Sequence, residues 1–343
     1  MRRRNLIALF IAAGLVAGSA LWVRNYLATP LTIPAQGYRL EITPGTAWSA
    51  VARRLSDDGI TAFAPVLTAF GQLTGQSGRI QAGEYDLLPG LTPGTLLQEL
   101  VSGRIVLHKL TLVEGWSVRD MLRAIRAEPA LQKTLRASPA GDVAAALAHE
   151  LGLPWQSAEG AFLPETYLFA RGTTDREILS RAHKALNDRL NQAWATRRPD
   201  LPLANPYELL ILASIVERET ALASERPLIA GVFIRRLQRG MRLQTDPTVI
   251  YGLGPRFDGN LTRVDLETDS PWNTYTRDGL PPTPIAAPSG ASIDAASRPV
   301  DGKALFFVAS GNGDGSHQFT ATLKEHEAAV RDYLATLNRR NGN

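Results

Sequence analysis

The chain has no cysteine among its 343 residues, and this absence removes several kinds of chemistry. Disulfide bridges, zinc–thiolate sites and cysteine nucleophiles are excluded. No Gly-x-Ser-x-Gly motif marks a serine nucleophile either. The five histidines are dispersed without metal-ligand spacing, so we expect no metal and no other cofactor.

An excess of charge of one sign is also missing. Lys and Arg number 37 and Asp and Glu number 33, so the net charge is only +4. Beyond the N-terminus the basic residues are mixed with acidic ones, whereas nucleic-acid binding concentrates them on one face. We therefore predict no nucleic-acid partner. The length fits two modest domains plus an anchor.

The N-terminus contains a long uncharged run. Three arginines at 2–4 precede the stretch Asn5–Val23, which ends at Arg24 and has 19 residues. At about 1.5 Å per residue, a helix of this length just spans a hydrocarbon core of about 30 Å. Positive charge before the span predicts a cytoplasmic N-terminus and an exported remainder, anchored in the inner (plasma) membrane. The alternative is a signal peptide cleaved near the small residues 18–20, but the apolar run continues beyond them.

A small α+β module is predicted after the anchor. Tyr38–Ile42 alternates like a strand, a Pro-Gly turn follows, and residues 48–55 have the periodicity of an amphipathic helix. The order of strand end, glycine turn, Ser/Thr cap and short helix recurs at 91–103 and 113–125. This weak repeat places the module at about 38–112.

Beyond residue 113 the chain becomes mainly helical, and a hairpin precedes its last helix. The strands of the hairpin are predicted at 304–309, read as buried, and 317–322, and Thr322 and Glu325 form a capping box. The region 252–300 is predicted to be irregular, with little helix, as cleft-lining segments often are. The predicted helices are 117–126, 142–151, 175–195, 206–220, 225–239 and 323–338.

The most informative helix begins after Asn205. This residue suits the N-cap, Pro206 suits the first helical position, and Glu208 stands at the capping-box position. From Leu209 to Val216 the helix is apolar apart from Ser214, so it belongs in the protein interior.

Two carboxylates, Glu217 and Glu219, end this apolar helix. The negative end of the helix dipole and burial both raise the pKa of a carboxyl group, and a protonated carboxyl is what a general acid needs. The two residues lie about 200° apart around the helix, so one can serve a cleft while the other pairs structurally, for example with an arginine. The alternative is that both are exposed charges, and periodicity does not choose between the two glutamates.

Five stretches, in this order, resemble the endolytic murein transglycosylase family (MltG/YceG-like), and together they cover most of residues 38–343. They are EGAFLPETYLF at 159–169, LASIVERETALASER at 212–226, VFIRRLQRGMRLQTDPTVIYGLG at 232–254, NTYTRDGLPPTPIAAPSGASIDAA at 273–296, and FFVASGNGDGSHQFTATLKEH at 306–326.

The resemblance implies the fold class α+β with three parts. These are a cytoplasmic tip and single-pass transmembrane helix at 1–30, a LysM-like subdomain at 38–112, and a mainly helical, lysozyme-like transglycosylase domain with a β-hairpin at 113–343. The LysM-like likeness depends on the strand–Pro-Gly-Thr–helix pattern and on AGEYDLLPG at 82–90.

The resemblance also implies a catalytic residue and a reaction. In lysozyme-like lytic transglycosylases the acid/base glutamate ends a buried helix and a serine follows it. Glu219 occupies that place, with Thr220 as the hydroxyl, and the change from Ser to Thr keeps Glu217 as an alternative. The implied enzyme is a lyase that cuts the MurNAc–GlcNAc bond of peptidoglycan and leaves a 1,6-anhydro end.

The remaining site candidates are polar or aromatic groups suited to binding sugars. Some of them also suit turns or caps, and Glu165 also suits the start of a helix. Glu165 is a candidate cleft wall and second carboxylate. The substrate-binding candidates are Glu165, Glu217, Gln244, Asp246, Tyr251, Asn273 and Tyr275.

Two other functions remain open. A hydrolysing muramidase would use a second carboxylate such as Glu165 or Asp246 and leave reducing ends. A wall-binding scaffold without catalysis would tolerate Glu219→Gln. The expected partners are glycan strands, the inner membrane and, by analogy, penicillin-binding proteins, beside which the enzyme would terminate or release nascent strands.

Overall fold

The structure, a computed structural model, describes residues 2–136 and 142–341 and is a helix-rich α+β protein. Within these described residues, three two-stranded sheets pair β1 with β2, β3 with β4 and β5 with β6. The strands are β1 (Tyr38–Ile42), β2 (Gly83–Leu87), β3 (Leu107–Thr111), β4 (Thr166–Ala170), β5 (Phe306–Ala309) and β6 (His317–Thr320). The helices are α1 (Arg2–Ala28), α2 (Trp48–Asp57), α3 (Ala64–Leu73), α4 (Pro93–Ser102), α5 (Val118–Ala127), α6 (Val143–Leu151), α7 (Asp175–Ala195), α8 (Pro206–Glu219), α9 (Arg226–Gln238), α10 (Asp246–Leu253), α11 (Arg263–Glu267), α12 (Gly290–Ser297) and α13 (Leu323–Asn341), with a 3-10 turn at Gly254–Arg256.

The chain divides into two compact units. Unit 1 contains the residues up to 108 and a short return segment, 168–173. Unit 2 contains residues 109–167 and the chain from 174 onward. The sequence indicated a single crossing near 112, whereas the chain passes between the units three times.

The N-terminal helix α1 contains a candidate membrane span. Residues Leu6–Ala28 form a 23-residue span whose most apolar 18-residue window has a mean hydropathy of 2.3, and none of that window is buried inside the protein. The helix is therefore long and apolar enough to cross a membrane, as predicted, although a signal sequence has the same properties.

Unit 1 is held together by one apolar core between the antiparallel β1–β2 pair and the short helices. Trp48 is buried in α2, and its indole N–H donates to the carbonyl of Leu67 at 3.0 Å. A Cβ at Gly71 would lie 2.2 Å from that indole nitrogen, so only glycine fits there. The strand predicted at Tyr38–Ile42 and the helix predicted from Trp48 are confirmed.

Of the three helices in the proposed repeat, two begin with a capping box. Thr92 and Ser117 cap α4 and α5 by this reciprocal arrangement. The N-cap of α2 is Ala47, which has no side chain that could do so. The short helix therefore recurs in all three copies, but the first copy has no side-chain cap, and Pro93-Gly94 of the second copy lies inside α4 rather than in a turn.

Unit 2 is built around α8. Every residue from Leu209 to Val216 is buried, and α7, α9 and α12 pack against the helix. The Asn205 side chain accepts from the Glu208 amide at 3.1 Å, which confirms the N-cap. Glu208 accepts from the amide of Ala204, one residue before the cap, at 2.7 Å, so the capping box is displaced. The six helices predicted beyond residue 113 are present, with ends within three residues of the prediction.

Three local predictions were wrong or incomplete. The first hairpin strand, β5, is half-buried, because its two-stranded sheet is covered by neighbouring helices without being enclosed. Helix α10 was not among the predicted helices. It begins at Asp246-Pro247, where proline in the first turn of a helix sacrifices no hydrogen bond. Helix α12 lies within the region expected to be irregular, where Ser289 caps it by accepting from the Ser292 amide.

Candidate active site

Glu219 is the last residue of α8, and its carboxylate accepts a hydrogen bond from the Thr245 hydroxyl. The side chain is half-buried at the end of an otherwise enclosed helix. Burial, the largest effect, raises its pKa from 4.5 to about 7, and the negative charge of Asp246 acts in the same direction. The hydrogen bond from the Thr245 hydroxyl, the largest opposing effect, and the proximity of His317 and Arg236 lower the pKa and so oppose the rise. Near neutral pH the carboxyl therefore exists in both protonation states, as an acid that later serves as a base requires.

Two predicted residues, Asp246 and Tyr275, lie beside Glu219 and are bonded to each other. The Tyr275 hydroxyl donates to Asp246 at 2.6 Å. Burial and then this hydrogen bond raise the pKa of Tyr275 far above its usual value. The phenol therefore stays protonated and keeps Asp246 oriented at the start of α10.

Arg236 of α9 is a buried cation next to the site, and sequence reasoning did not single it out. Its Nε donates to the Leu305 carbonyl at 2.7 Å, and Nη1 donates to the Leu243 carbonyl at 2.9 Å. The same Nη1 lies 3.3 Å from the side-chain oxygen of Gln244. Gln244 has a positive φ of 50°, an unusual conformation for a residue with a side chain. Arg236 therefore fixes the strained loop that leads to Thr245.

Sequence reasoning also missed Glu225 and His317, which bond to each other near the end of α8. The His317 amide donates to Glu225 at 2.7 Å, and the ring nitrogen Nδ1 lies 2.7 Å from the other carboxylate oxygen. Thr220 lies 3.4 Å from Glu225 and accepts from the Leu222 amide at 3.0 Å, so it stabilises the turn after α8. Glu225 and His317 are 92 residues apart, so no local pattern could have joined them.

Glu217 points away from Glu219, as the helical spacing predicted. Its carboxylate accepts from the Ser289 amide at 2.9 Å, from the Ser289 hydroxyl at 2.5 Å and from the Ser292 hydroxyl at 2.7 Å. Arg226 lies 3.3 Å away, and only 6% of the Glu217 side chain is exposed. The reading of both glutamates as exposed charges is therefore wrong, and Glu217 joins α8 to the start of α12.

A cavity of about 1050 Å³ opens in unit 2, lined by Arg218 but not by Glu219. Tyr251 and Trp272 form part of its wall, with ring centroids 5.5 Å apart. Glu159, another lining residue, is buried and accepts from the Tyr251 hydroxyl at 3.2 Å and the Val118 amide at 2.9 Å. Burial, partly offset by these bonds, raises the pKa of Glu159 to about 7.

Glu159 is thus a buried carboxyl that sequence reasoning missed, although it begins the stretch EGAFLPETYLF. The sequence feature that could have drawn attention to Glu159 is the glycine that follows it. Gly160 has a φ of +70°, a backbone conformation that favours glycine. A Cβ at Gly160 would lie 2.6 Å from the Cβ of Pro284. Only glycine allows this approach.

The two remaining candidates are placed differently. Glu165 is exposed, its backbone carbonyl accepts from the Leu112 amide at 3.0 Å, and its charge helps to raise the pKa of Tyr167. Asn273 is buried, and its side-chain amide donates to three backbone carbonyls between 2.7 and 3.2 Å. Its oxygen accepts from the Tyr275 amide at 2.8 Å. Asn273 therefore holds the loop that carries Tyr275.

The model of the family described as the YceG-like family matches residues 40–332. The chain belongs to this family. The resemblance inferred from the five sequence stretches is thereby confirmed, and both glutamate-bearing stretches of the site lie within the match.

Two similar bacterial proteins carry a name that describes an activity. A Bacillus subtilis protein named endolytic murein transglycosylase is 30% identical over 339 residues, which cover 94% of this chain and 92% of the relative. A Streptococcus pneumoniae D39 protein of the same name is 28% identical over 284 residues, 74% of this chain, and the chain spans about half (51%) of that relative. The crystal structure of a YceG-like protein of Listeria monocytogenes superposes with a TM-score of 0.52 at 28% identity, covering 86% of this chain and 99% of that one.

Proposed function

We propose that the chain is an endolytic lytic transglycosylase that cuts peptidoglycan glycan strands, with Glu219 as its acid/base. The observation that carries the proposal is the Glu219 carboxyl, whose pKa is raised to about 7 at the end of a buried helix. The name of the Bacillus subtilis relative, which matches nearly the whole chain, supports the same substrate. The enzyme would be a lyase.

The proposed reaction has two proton transfers through one carboxyl group. Protonated Glu219 gives its proton to the oxygen that joins MurNAc to GlcNAc, and that bond breaks as an oxocarbenium-like centre forms. The C6 hydroxyl of the same MurNAc attacks this centre and returns its proton to Glu219. The product has a 1,6-anhydro end and no water is consumed. One carboxyl is enough because the nucleophile is intramolecular and already close to the reacting carbon.

The neighbours of Glu219 divide into groups that tune it and groups that meet the sugar. Thr245 orients the carboxyl, and Asp246 and Arg236 shift its pKa in opposite directions. Asp246 and Tyr275, which lie beside the acid, and Gln244, which bonds to Arg236 in the loop before Thr245, are proposed to contact the glycan. Glu217 and Asn273, whose bonds are made within the protein, are proposed to position α12 and the Tyr275 loop rather than to bind sugar.

The cavity supplies space for the glycan beyond the reacting bond. Its volume of about 1050 Å³ exceeds what one sugar ring fills. Trp272 and Tyr251 offer aromatic surfaces on which sugar rings stack, and Glu159 orients the Tyr251 hydroxyl. Exposed Glu165 is proposed to lie outside the reacting centre.

The proposed architecture has an anchor and two domains, as the resemblance to the family implies. α1 is a single-pass anchor in the plasma membrane with a cytoplasmic N-terminus, and the rest of the chain is periplasmic. Residues 38–112 form a LysM-like subdomain that grips glycan, which is supported by their β1–β2 pair and short helices. Residues 113–343 form a lysozyme-like catalytic domain, which is supported by the glutamate at the end of buried α8.

A position at the membrane would bring the enzyme close to nascent strands, so we propose that it terminates or releases them beside penicillin-binding proteins. Cross-linking of the full chain in membranes tests this association. Capture of a strand-synthesising protein is expected, and its consistent absence would count against the partnership.

The reaction is tested by mass spectrometry of products released from purified peptidoglycan by the full chain. Anhydro-ended products that disappear with Glu219→Gln are expected. Glu217→Gln is the matched control, because it removes the other carboxylate of the same helix end. Loss with Glu217→Gln alone would move the acid/base role by two residues. Reducing-ended products would indicate a hydrolysing muramidase with Asp246 as its second carboxylate, and intact glycan with retained binding would indicate a scaffold.

A further inference from the structure

Helix α3 of unit 1 presents an unusual surface. No charged residue occurs between Gly59 and Gly78, a stretch that contains the whole helix. Leu67 and Gly71 face the core, but Pro65, Ala69 and Leu73 form an exposed stripe at a spacing of four residues. Leu73 is 88% exposed, more than any other large apolar side chain among the described residues. An uncharged helix with an apolar outer stripe is not typical of a surface in water.

The start of α3 is attached to the end of the candidate membrane span. Phe63, the residue before α3, packs edge-on against Trp22 and Tyr26 of α1, with ring centroids 5.0 and 5.7 Å apart. The Tyr26 hydroxyl is 2.5 Å from the Thr61 hydroxyl. These contacts lie within unit 1 and join the last two turns of α1 to the chain that enters α3.

The position of Trp22 and Tyr26 along the candidate span indicates the environment of the cluster that they form with Phe63. Trp and Tyr at the end of a membrane helix are typical of the headgroup level, where one side of the ring is apolar and the other is wet. Trp22 and Tyr26 are near the C-terminal end of the Leu6–Ala28 span. Phe63, half-exposed beside them, is therefore held at that level, and the exposed stripe of α3 begins two residues later.

We propose that α3 is a second membrane contact. Its stripe of Pro65, Ala69 and Leu73 lies in the headgroup and upper acyl region of one leaflet, the leaflet that contains the C-terminal end of α1. The occupant of this surface is the lipid bilayer. A ten-residue helix about 15 Å long extends the contact sideways from the anchor. A single helix leaves the attached unit able to swing, whereas two contacts restrict its orientation relative to the bilayer. The proposal rests on α1 being a retained anchor, as in the proposed function.

The chain suits a direct test because it contains no cysteine, so one introduced thiol is the only labelling site. The full chain carrying Leu73→Cys or Ala69→Cys is labelled with a small fluorophore. It is then reconstituted in phosphatidylethanolamine–phosphatidylglycerol vesicles that contain lipids with a nitroxide high on the acyl chain. Ser102→Cys is the matched control: it is exposed in the same unit but lies between the ion-paired Glu99 and Arg104. Vesicle flotation of each preparation reports anchoring separately.

Quenching by the nitroxide lipids should be severalfold stronger at positions 73 and 69 than at 102. Flotation without this difference would overturn the proposal while leaving the anchor intact. Label-to-label quenching at 73 with little lipid quenching would show that a second copy covers the stripe and would also overturn it. Failure to float would remove the anchor, and with it both the membrane part of the proposed function and this inference.

Discussion

Replacing Glu219 by glutamine should abolish glycan cleavage and, at alkaline pH, make unit 2 more resistant to unfolding. Burial raises the folded-state pKa of this carboxyl from 4.5 to about 7. Between those values the unfolded chain releases the proton while the folded chain retains it, so the stability of the folded state falls as pH rises and the full cost is present above pH 7. Glutamine imitates the protonated acid and does not ionise, so it avoids this cost.

The magnitude follows from the size of the shift. A rise from 4.5 to about 7 is two and a half pKa units, and at about 1.4 kcal/mol per unit it corresponds to at most about 3–4 kcal/mol. The carboxyl keeps part of its surface in contact with solvent, which reduces the figure to about 1–2 kcal/mol. For a domain of this size, each kcal/mol raises Tm by about 2–4 °C.

Scanning calorimetry at pH 8 and pH 5 measures the effect on the unfolding transition of unit 2. The variant should melt several degrees higher than the native chain at pH 8 and nearly together with it at pH 5. Glu217→Gln is the control and should lower Tm at both values, since its carboxylate is bonded to serines and an arginine. An equal gain at both pH values, or a loss at pH 8, would refute the reasoning that burial raises the Glu219 pKa.

Three further substitutions test neighbouring features. Thr245→Val removes a hydroxyl that lowers the pKa of Glu219; the alkaline limb of the pH–rate profile should move to higher pH, and an unchanged limb would contradict the assigned contact. Glu217→Gln should cost about 2–4 kcal/mol of unfolding free energy in denaturant titration while cleavage per folded molecule persists, and wild-type stability would show that its bonds contribute little. Gly160→Ala should cost about 2 kcal/mol or more, because its φ is +70° and the new Cβ would lie 2.6 Å from Pro284; an unchanged Tm would disprove the close approach.

The helices that could be predicted are those with strong local signals. α8 combines an N-cap, a proline and eight buried residues in succession, and α7 begins with a capping box at Thr174. α10 was missed because Asp246-Pro247 suits a turn as well as a first helical turn, and only contacts with α8 decide between them. α3 was missed because its sequence is apolar on nearly all sides and gives no amphipathic period.

The same limit applies to the site. Helical geometry alone predicted that Glu217 and Glu219 would diverge, and the resemblance selected Glu219 as the acid. Neither indicated Arg236, Glu225 or His317, because Arg236 pairs with Leu305 and Glu225 pairs with His317 over 69 and 92 residues of chain. Long-range pairing of buried charges leaves no periodic trace in a single sequence, so these partners become visible only in the folded chain.

Unit 1 is completed by residues 168–173, which follow the rest of the unit by about 60 residues in the sequence. In the return segment, Arg171 donates to buried Glu84 at 2.5 Å, and Phe169 is buried with its ring 5.7 Å from that of His108. During synthesis the first 108 residues must therefore wait for about 60 more before Glu84 receives its arginine partner. A gene fragment ending near residue 112 would encode this unit without its last segment. Recombination between relatives would thus have to exchange both units together, so unit 1 is inherited with unit 2 rather than as a portable part.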